Sequence, residues 1–174
     1  KKIIIDAGPD FRYQMLRSQV KDLRAILLTH GHKDHIGGLD DVRAFNWVKQ
    51  GAVDVYGNEG TREVVYKDFS YAFAAFRYPG VPEINYHVID DRPFYIDDIQ
   101  VVPIPVLHYK MPVLGFRIGN FAYITDAKTI PASSMERLKG VEYLVINALR
   151  KELHMSHFNL EEALTMIARI QPKS

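Results

Sequence analysis

Cysteine is absent from this chain of 174 residues. Disulfide bonds and closed zinc sites built from thiolates are therefore excluded. Excess charge of one sign is absent as well, because 22 Lys and Arg residues against 21 Asp and Glu residues leave a net charge of +1. A chain without a basic excess is not expected to form a stable nucleic-acid complex, and any anionic ligand must be held by local groups.

Long apolar runs are also missing. The apolar stretch 141–148, interrupted by Glu142, is far shorter than the roughly 20 residues that cross a bilayer. We therefore expect no membrane partner and a cytoplasmic location, which a chain without cysteine permits. The first residues lack an initiator Met and run directly into a strand pattern, so we expect a chain truncated at its amino end.

Hydrophobic residues make up 47% of the chain, which is enough for one domain with its own core over residues 1–174. Short apolar runs alternate with helical patterns, and this alternation indicates α/β layering. Helices are predicted over 10–19, 40–49, 59–76, 131–138 and 159–170, the last with Asn159 as N-cap. The face of this last helix that packs on the sheet is predicted to carry Leu160, Ala163, Leu164 and Ile167. Strands are predicted over 3–5, 25–28, 53–56, 84–89, 94–96, 99–107, 113–118, 121–125 and 143–147. The last strand is expected to be buried, and His87 is expected to face outward from its strand without a role in the site.

The predicted helix 59–76 is dense in aromatic side chains. Large apolar side chains on a helix are usually buried, so this face suits the core or a contact between the subunits of a homodimer better than a substrate wall.

A histidine-rich loop follows the apolar strand 25–28. Within six residues it carries four side chains that can bind metal, namely His30, His32, Asp34 and His35. Imidazoles bind zinc and iron well, and a carboxylate adds a hard oxygen that also suits manganese. Such mixed ligation usually leaves a coordination position for water, so an open site is favoured over a structural one. The alternative is a solvated turn whose polar residues cluster by chance.

A single loop supplies too few ligands for such a centre, and two later strands end in further candidates. His108 ends the apolar run 101–107, and Asp126 follows the strand 121–125. The alternatives are a histidine hydrogen-bonded to backbone and a turn carboxylate that caps the segment before Pro131.

The pattern His-x-His-x-Asp-His after a strand, followed by Gly37-Gly38, resembles the signature of the metallo-β-lactamase superfamily. The segments 5–12, 38–43 and 148–157 resemble its PhnP-like phosphodiesterase branch, so nearly the whole chain is covered. The resemblance implies an α/β (α+β) fold, the αββα four-layer sandwich of this superfamily, here truncated at both ends. It also implies two divalent metal ions, zinc or manganese, with iron as a further option.

Carried over residue by residue, the resemblance implies that His30, His32 and His108 hold one metal ion. Asp34 and His35 would hold the second ion, and Asp126 would bridge the two. The family supplies one more histidine just beyond the last helix, whereas this chain stops at Ser174. We therefore expect the second metal site to be incomplete in residues 1–174.

The stretch 150–157 resembles a family segment whose second histidine lies near the metals as a proton donor. On this basis we expect His157 to be the general acid, with a hydrogen-bonding role as the alternative. His154 is either part of the site or structural. Arg150 is a candidate contact for an anionic substrate group, with a structural ion pair as the alternative. Asp6, at the end of the first strand, is expected to orient a metal-bound histidine.

The resemblance favours a metal-dependent hydrolase, most simply a phosphodiesterase that attacks a small or cyclic phosphodiester or nucleotide through a metal-bound hydroxide. In that reaction Asp34 and His157 would be catalytic, with His154 as a third candidate. One alternative is a lactone, thioester or β-lactam hydrolase of the same fold, and another is a metal-binding module without turnover. A tRNA-processing ribonuclease would need a basic arm, and the sequence offers no Lys/Arg cluster for one.

Overall fold

The computed structural model describes residues 2–174, and Lys1 lies outside the described residues. The chain forms two compact units, Lys1–Asp90 and Asp91–Ser174. Each unit is built around one β-sheet.

The sheet of the first unit is parallel throughout, in the order β1-β2-β3-β4. Parallel neighbours need crossover connections, and here helices supply them. The strands are β1 (Lys2–Ile5), β2 (Leu23–Leu27), β3 (Val53–Gly57) and β4 (Ile84–Val88). The helices are α1 (Phe11–Arg17), α2 (Lys33–Ile36), α3 (Arg43–Lys49), α4 (Glu59–Asp68) and α5 (Ser70–Phe73), with a 3₁₀ turn at Leu39–Val42.

The core of the first unit lies between this sheet and its helices. Ile26 and Val55 are paired across β2 and β3, and both are fully buried. The rings of Phe11 and Phe45 pack edge to face, with centroids 6.1 Å apart. The core therefore ties α1 and α3 to the strands that lead into the histidine loop.

The sheet of the second unit is mainly antiparallel, in the order β5-β6-β7-β8-β9, with β9 parallel to β8. Its strands are β5 (Phe94–Ile96), β6 (Ile99–His108), β7 (Met111–Ile118), β8 (Phe121–Ile124) and β9 (Tyr143–Ile146). Helix α6 (Ala132–Arg137) links β8 to β9, and α7 (Leu160–Ile170) follows β9. Asn159 caps α7 as predicted, since its side chain accepts a hydrogen bond from the Glu162 amide.

Three details of the sequence prediction are wrong. The helix predicted over 59–76 breaks at Phe69, whose backbone leaves the helical region so that its side chain can enter the core, while Phe76 is 86% exposed. Strand 143–147 was expected to be buried, but β9 is the last strand of its sheet and alternates exposed with half-buried residues. Leu160 and Leu164 face solvent, and α7 buries Ala163 and Ile170 instead.

Within residues 2–174, no helix combines the length and apolar character that spanning a bilayer requires.

Candidate metal centre

The first unit brings its polar residues together at the carboxyl ends of β1 and β2. Asp6 directly follows β1, and Thr29 and His30 come just after β2. Because parallel neighbouring strands end at the same edge of a sheet, these side chains meet.

Asp6 is the hub of this cluster. Its carboxylate accepts hydrogen bonds from the backbone amide of Thr29 (2.8 Å) and from the Thr29 hydroxyl (2.9 Å). It also lies 2.7 Å from Nδ1 of His35. An ionised carboxylate can only accept, so Nδ1 of His35 carries the proton and Nε2 presents its lone pair. This arrangement matches the carboxylate–histidine pairs that orient metal ligands, as the sequence predicts for Asp6.

The imidazole rings of the loop are packed against one another. The ring centroid of His30 lies 4.5 Å from that of His32 and 4.2 Å from that of His35. Nε2 of His35 is 3.4 Å from Oδ2 of Asp34. Three close imidazoles and a carboxylate oxygen form an electron-rich donor set that fits a divalent cation. The Asp34 side chain is 73% exposed, so the set is open on one side.

Glycines allow the loop to lie close to the turn that follows β1. A Cβ on Gly8 would lie 2.4 Å from the Asp34 carbonyl oxygen, and one on Gly38 would lie 2.2 Å from the Gly8 carbonyl oxygen. The amide of Ala7 donates to the His35 carbonyl at 2.7 Å, and the amide of Gly38 donates to the Ala7 carbonyl at 2.8 Å. The backbone of the ligand loop is thus fixed before any ligand binds.

The second unit contains a separate set of candidate metal ligands. His108 ends β6, Asp126 follows β8, and His157 lies in the loop between β9 and α7. These three residues offer ligand atoms that all lie within 4.8 Å of one another. Nδ1 of His108 lies 2.9 Å from the Ser156 carbonyl oxygen, which can only accept. The proton of a neutral His108 is therefore on Nδ1, which leaves Nε2 as the ligand atom.

His157 sits among polar groups of this second set. Its Nε2 is 3.5 Å from Oδ1 of Asp126, and its Nδ1 is 3.2 Å from Nδ1 of His154. Burial lowers the pKa of His157, and the rings of His108 and His154 lower it further, while the Asp126 carboxylate acts in the opposite direction. The two predicted proton-transfer candidates, His154 and His157, are thus neighbours.

Arg150 lies apart from these contacts as an exposed residue. Its guanidinium donates to the Leu153 carbonyl oxygen at 2.7 Å and so braces the loop that carries His154 and His157. A substrate role for Arg150 stays a prediction.

Three residues that orient the site escaped the sequence analysis, namely Thr29, Asn147 and Ser156. The Asn147 side chain accepts from the Ala127 amide (2.8 Å) and donates to the Ala127 carbonyl (3.0 Å), which fixes the backbone next to Asp126. Asn147 is a polar residue directly after β9, and Thr29 lies two residues after the end of β2; a polar residue at a strand end was the available signal.

Comparison with known proteins identifies the family. A model of the beta-lactamase superfamily domain matches residues 1–174. A solved structure described as a new diphosphatase from the PhnP family superposes with a TM-score of 0.90 at 36% identity, covering 98% of this chain and 65% of that chain. The short form of human tRNase Z superposes with a TM-score of 0.72 at 17% identity, over 98% of this chain and 78% of that chain, which shows a shared fold alone.

Two curated relatives carry different names. A protein of Porphyromonas gingivalis named octanoyltransferase is 40% identical over 172 residues, which is 98% of this chain but 35% of that protein. Ribonuclease Z of Nostoc punctiforme is 30% identical over 121 residues, 67% of this chain and 37% of that protein. The chain thus spans little more than a third of either relative. With the family model over its whole length and the PhnP-family structure as a near neighbour, the chain belongs to the metallo-β-lactamase superfamily, has its mixed α/β fold and resembles the PhnP-like branch.

Proposed function

We propose that this protein is a metal-dependent phosphodiesterase that acts on a small or cyclic phosphodiester. The observation that carries the proposal is the pair of preorganised donor sets, around His30, His32 and His35 in one unit and around His108, Asp126 and His157 in the other. The superfamily is hydrolytic, and the PhnP-family neighbour favours phosphoester chemistry within it.

The proposed cofactors are two divalent ions, zinc or manganese, held by the ligands that the resemblance implies. On that resemblance His30, His32 and His108 would hold one ion, Asp34 and His35 would hold the other, and Asp126 would be shared. When bound, such ions lower the pKa of a coordinated water to about 7 and stabilise negative charge on a phosphoryl oxygen. Asp6 and Thr29 keep the histidine ligands in the required orientation.

The proposed role of His157 is to protonate the leaving oxygen through Nε2. Its ring is half-buried, and Nε2 points toward the Asp126 carboxylate rather than into the loop. A positioned general acid of this kind contributes about 10²- to 10⁴-fold to the rate. His154 supports it through the contact between the two Nδ1 atoms.

The test is hydrolysis of bis-p-nitrophenyl phosphate by the zinc- or manganese-loaded protein. Asp34→Ala should lower turnover by orders of magnitude, because it removes a predicted ligand at the exposed side of the loop. Asp98→Asn, at an exposed turn residue, is the matched control and should keep full activity. A loaded wild-type protein that leaves every phosphodiester intact would contradict the proposal.

Metal content separates the proposed enzyme from a metal-binding module. We expect elemental analysis to find metal in residues 1–174, with up to two ions per chain in any longer chain that contains them. A binding module would lose only metal affinity on Asp34→Ala and would show no turnover to lose.

Acyl-group hydrolysis is the second candidate. The name of the Porphyromonas gingivalis relative concerns acyl transfer, although two thirds of that protein lie outside the match. Lactone and thioester substrates, assayed beside the phosphodiester, decide between the two candidates. A diphosphate ester belongs in the same panel, because the PhnP-family neighbour is described as a diphosphatase. We also propose a cytoplasmic location for the protein, which the absence of cysteine permits.

A further inference from the structure

Ser156 contacts all three histidines of the second unit's site. Its main-chain carbonyl oxygen lies 2.9 Å from Nδ1 of His108. Its hydroxyl oxygen lies 3.1 Å from Nδ1 of His157 and 3.3 Å from Nδ1 of His154. The residue is half-buried.

The two ring nitrogens of His157 face different partners. Nε2 faces Oδ1 of Asp126 at 3.5 Å, whereas Nδ1 faces the Ser156 hydroxyl at 3.1 Å and Nδ1 of His154 at 3.2 Å. A hydroxyl group can donate a hydrogen bond and can also accept one. The Ser156 hydroxyl can therefore hydrogen-bond Nδ1 whether or not this nitrogen carries a proton. It accepts from Nδ1–H, and it donates to Nδ1 when Nε2 alone carries the proton.

The loop that carries Ser156 is anchored on both sides. The Phe158 amide donates to the Ala127 carbonyl at 2.8 Å, and the Leu149 amide donates to the Phe158 carbonyl at 3.0 Å. The Asn159 side chain donates to the Lys151 carbonyl at 3.1 Å. The loop backbone on both sides of Ser156 is thus held in place by contacts that do not involve the histidines.

We propose that Ser156 is a positioning residue whose hydroxyl binds Nδ1 of His157 and keeps Nε2 directed to the reacting side. The inference rests on the proposed function for its catalytic consequence. In the acid step the bond between Nε2 and its proton breaks and the proton passes to the leaving oxygen. The electron pair of that bond stays on Nε2, and the hydrogen bond between the Ser156 hydroxyl and Nδ1 keeps the ring from turning during the step.

The contact is tested without catalysis by nitrogen NMR of the metal-free, ¹⁵N-labelled protein. We expect Ser156→Ala to shift the Nδ1 resonance of His157, because the nearer of its two polar contacts is removed, and Ser156→Thr to restore it. The resonances of His87, which lies in the other unit, should not change. An unchanged His157 signal in Ser156→Ala would overturn the inference.

The catalytic consequence is tested by leaving-group dependence. With a phenyl or alkyl diester, whose leaving oxygen needs a proton, we expect Ser156→Ala to lower kcat by about 10- to 100-fold at similar KM, as losses of histidine-orienting partners do. With bis-p-nitrophenyl phosphate, whose leaving group needs no proton, the loss should be small. Ser133→Ala, at an exposed serine of the same unit, is the control. Equal losses on both substrates would contradict a role through His157.

The two proposals fail in different ways. If wild-type protein hydrolyses no ester, the proposed function is wrong, and the nitrogen signal alone decides whether Ser156 positions His157. If wild-type protein is active and Ser156→Ala matches it on every substrate, the positioning role is wrong while the hydrolase stands.

Discussion

Asp6 and Asp126 both adopt left-handed backbone conformations, with φ of 62° and 53°. Few side chains tolerate this region, and Asp and Asn are among those that do. Asp6 comes directly after β1 and Asp126 two residues after the end of β8, where the conformation turns the chain and presents the carboxylate near the strand end. The backbone conformation of these residues and the charge of their side chains can therefore be changed independently by substitution.

Substitutions at Asp126 should separate the effect of the backbone conformation on stability from the effect of the charge on metal binding. Asp126→Asn keeps a side chain suited to positive φ, so we expect near-wild-type thermal stability with reduced metal binding. Asp126→Ala should lose metal binding and also about 1 kcal/mol of stability. The measurements are thermal unfolding in chelator and metal content after loading with zinc. Asp97→Ala, at φ 54° in the turn between β5 and β6, should lose stability but no metal. Full metal content in Asp126→Asn would show that this carboxylate is no ligand.

At the scale of elements, helix α7 begins with a reciprocal cap next to the His157 loop. Asn159 and Glu162 exchange side-chain to backbone hydrogen bonds. Lys128 hydrogen-bonds both oxygens of Glu162, at 2.6 and 2.8 Å, and this contact lowers the pKa of the Glu162 carboxyl. The start of α7 is thus fixed by three side chains.

Asn159→Ala should lower the free energy of unfolding by about 1 kcal/mol, because one amide of the first turn loses its acceptor. Denaturant unfolding measures the change. Glu161→Gln, on the exposed side of the same turn, is the control and should stay within about 0.5 kcal/mol of wild type. A wild-type stability for Asn159→Ala would mean that the cap contributes nothing here.

Strands β2, β3 and β4 are linked by polar contacts of one carboxylate, Asp54. Burial opposes its ionisation, but the hydrogen bonds it accepts and a nearby charge outweigh this and hold the pKa of Asp54 well below its usual range. The partners are His87, Asn85, Arg24 and Lys49. His87, expected from the sequence to face outward without a role, is one of them, at 2.9 Å.

The Asp54 contacts predict a pH dependence of stability. Since the folded-state pKa lies below the unfolded value of about 3.9, the unfolded chain binds the proton first as pH falls, and the stabilisation is lost below about pH 4. Asp54→Asn should therefore melt below wild type at pH 7, with a smaller gap near pH 3. Asp98→Asn, at an exposed carboxylate, is the control. A difference in melting temperature between Asp54→Asn and wild type that stays constant with pH would contradict this role of Asp54.

How far the sequence predicts the elements and the site depends on the distance along the chain over which each signal acts. The His30–His35 loop, Asn159 and most strands are local signals, because ligand spacing, capping and apolar alternation act over a few residues. The break at Phe69 and the exposure of Leu160 and Leu164 are set by packing against distant elements, which no local pattern encodes. Ser156 was missed because its contacts depend on where the loop brings three histidines, two of them its neighbours and one 48 residues away.

At the scale of the whole molecule, the ligand sets form part of each unit's folded structure, so bound metal should stabilise the protein. Zinc at 100 times its Kd should add about 2.7 kcal/mol and raise the melting temperature. His32→Ala should reduce this shift, whereas His87→Ala, a histidine outside both sets, should melt lower but respond to zinc like wild type. Thermal unfolding with and without zinc measures both. An equal zinc shift in His32→Ala would contradict the ligand assignment.

The left-handed backbone conformations of Asp6 and Asp126 also affect how this chemistry can be lost in evolution. Asp codons become Asn or Gly codons by one nucleotide change, and Asn and Gly are the residues that tolerate positive φ best. A single mutation at Asp6 or Asp126 can therefore remove the charge while the backbone turn survives. Relatives that keep this fold without turnover should be recognisable by Asn or Gly at these two positions.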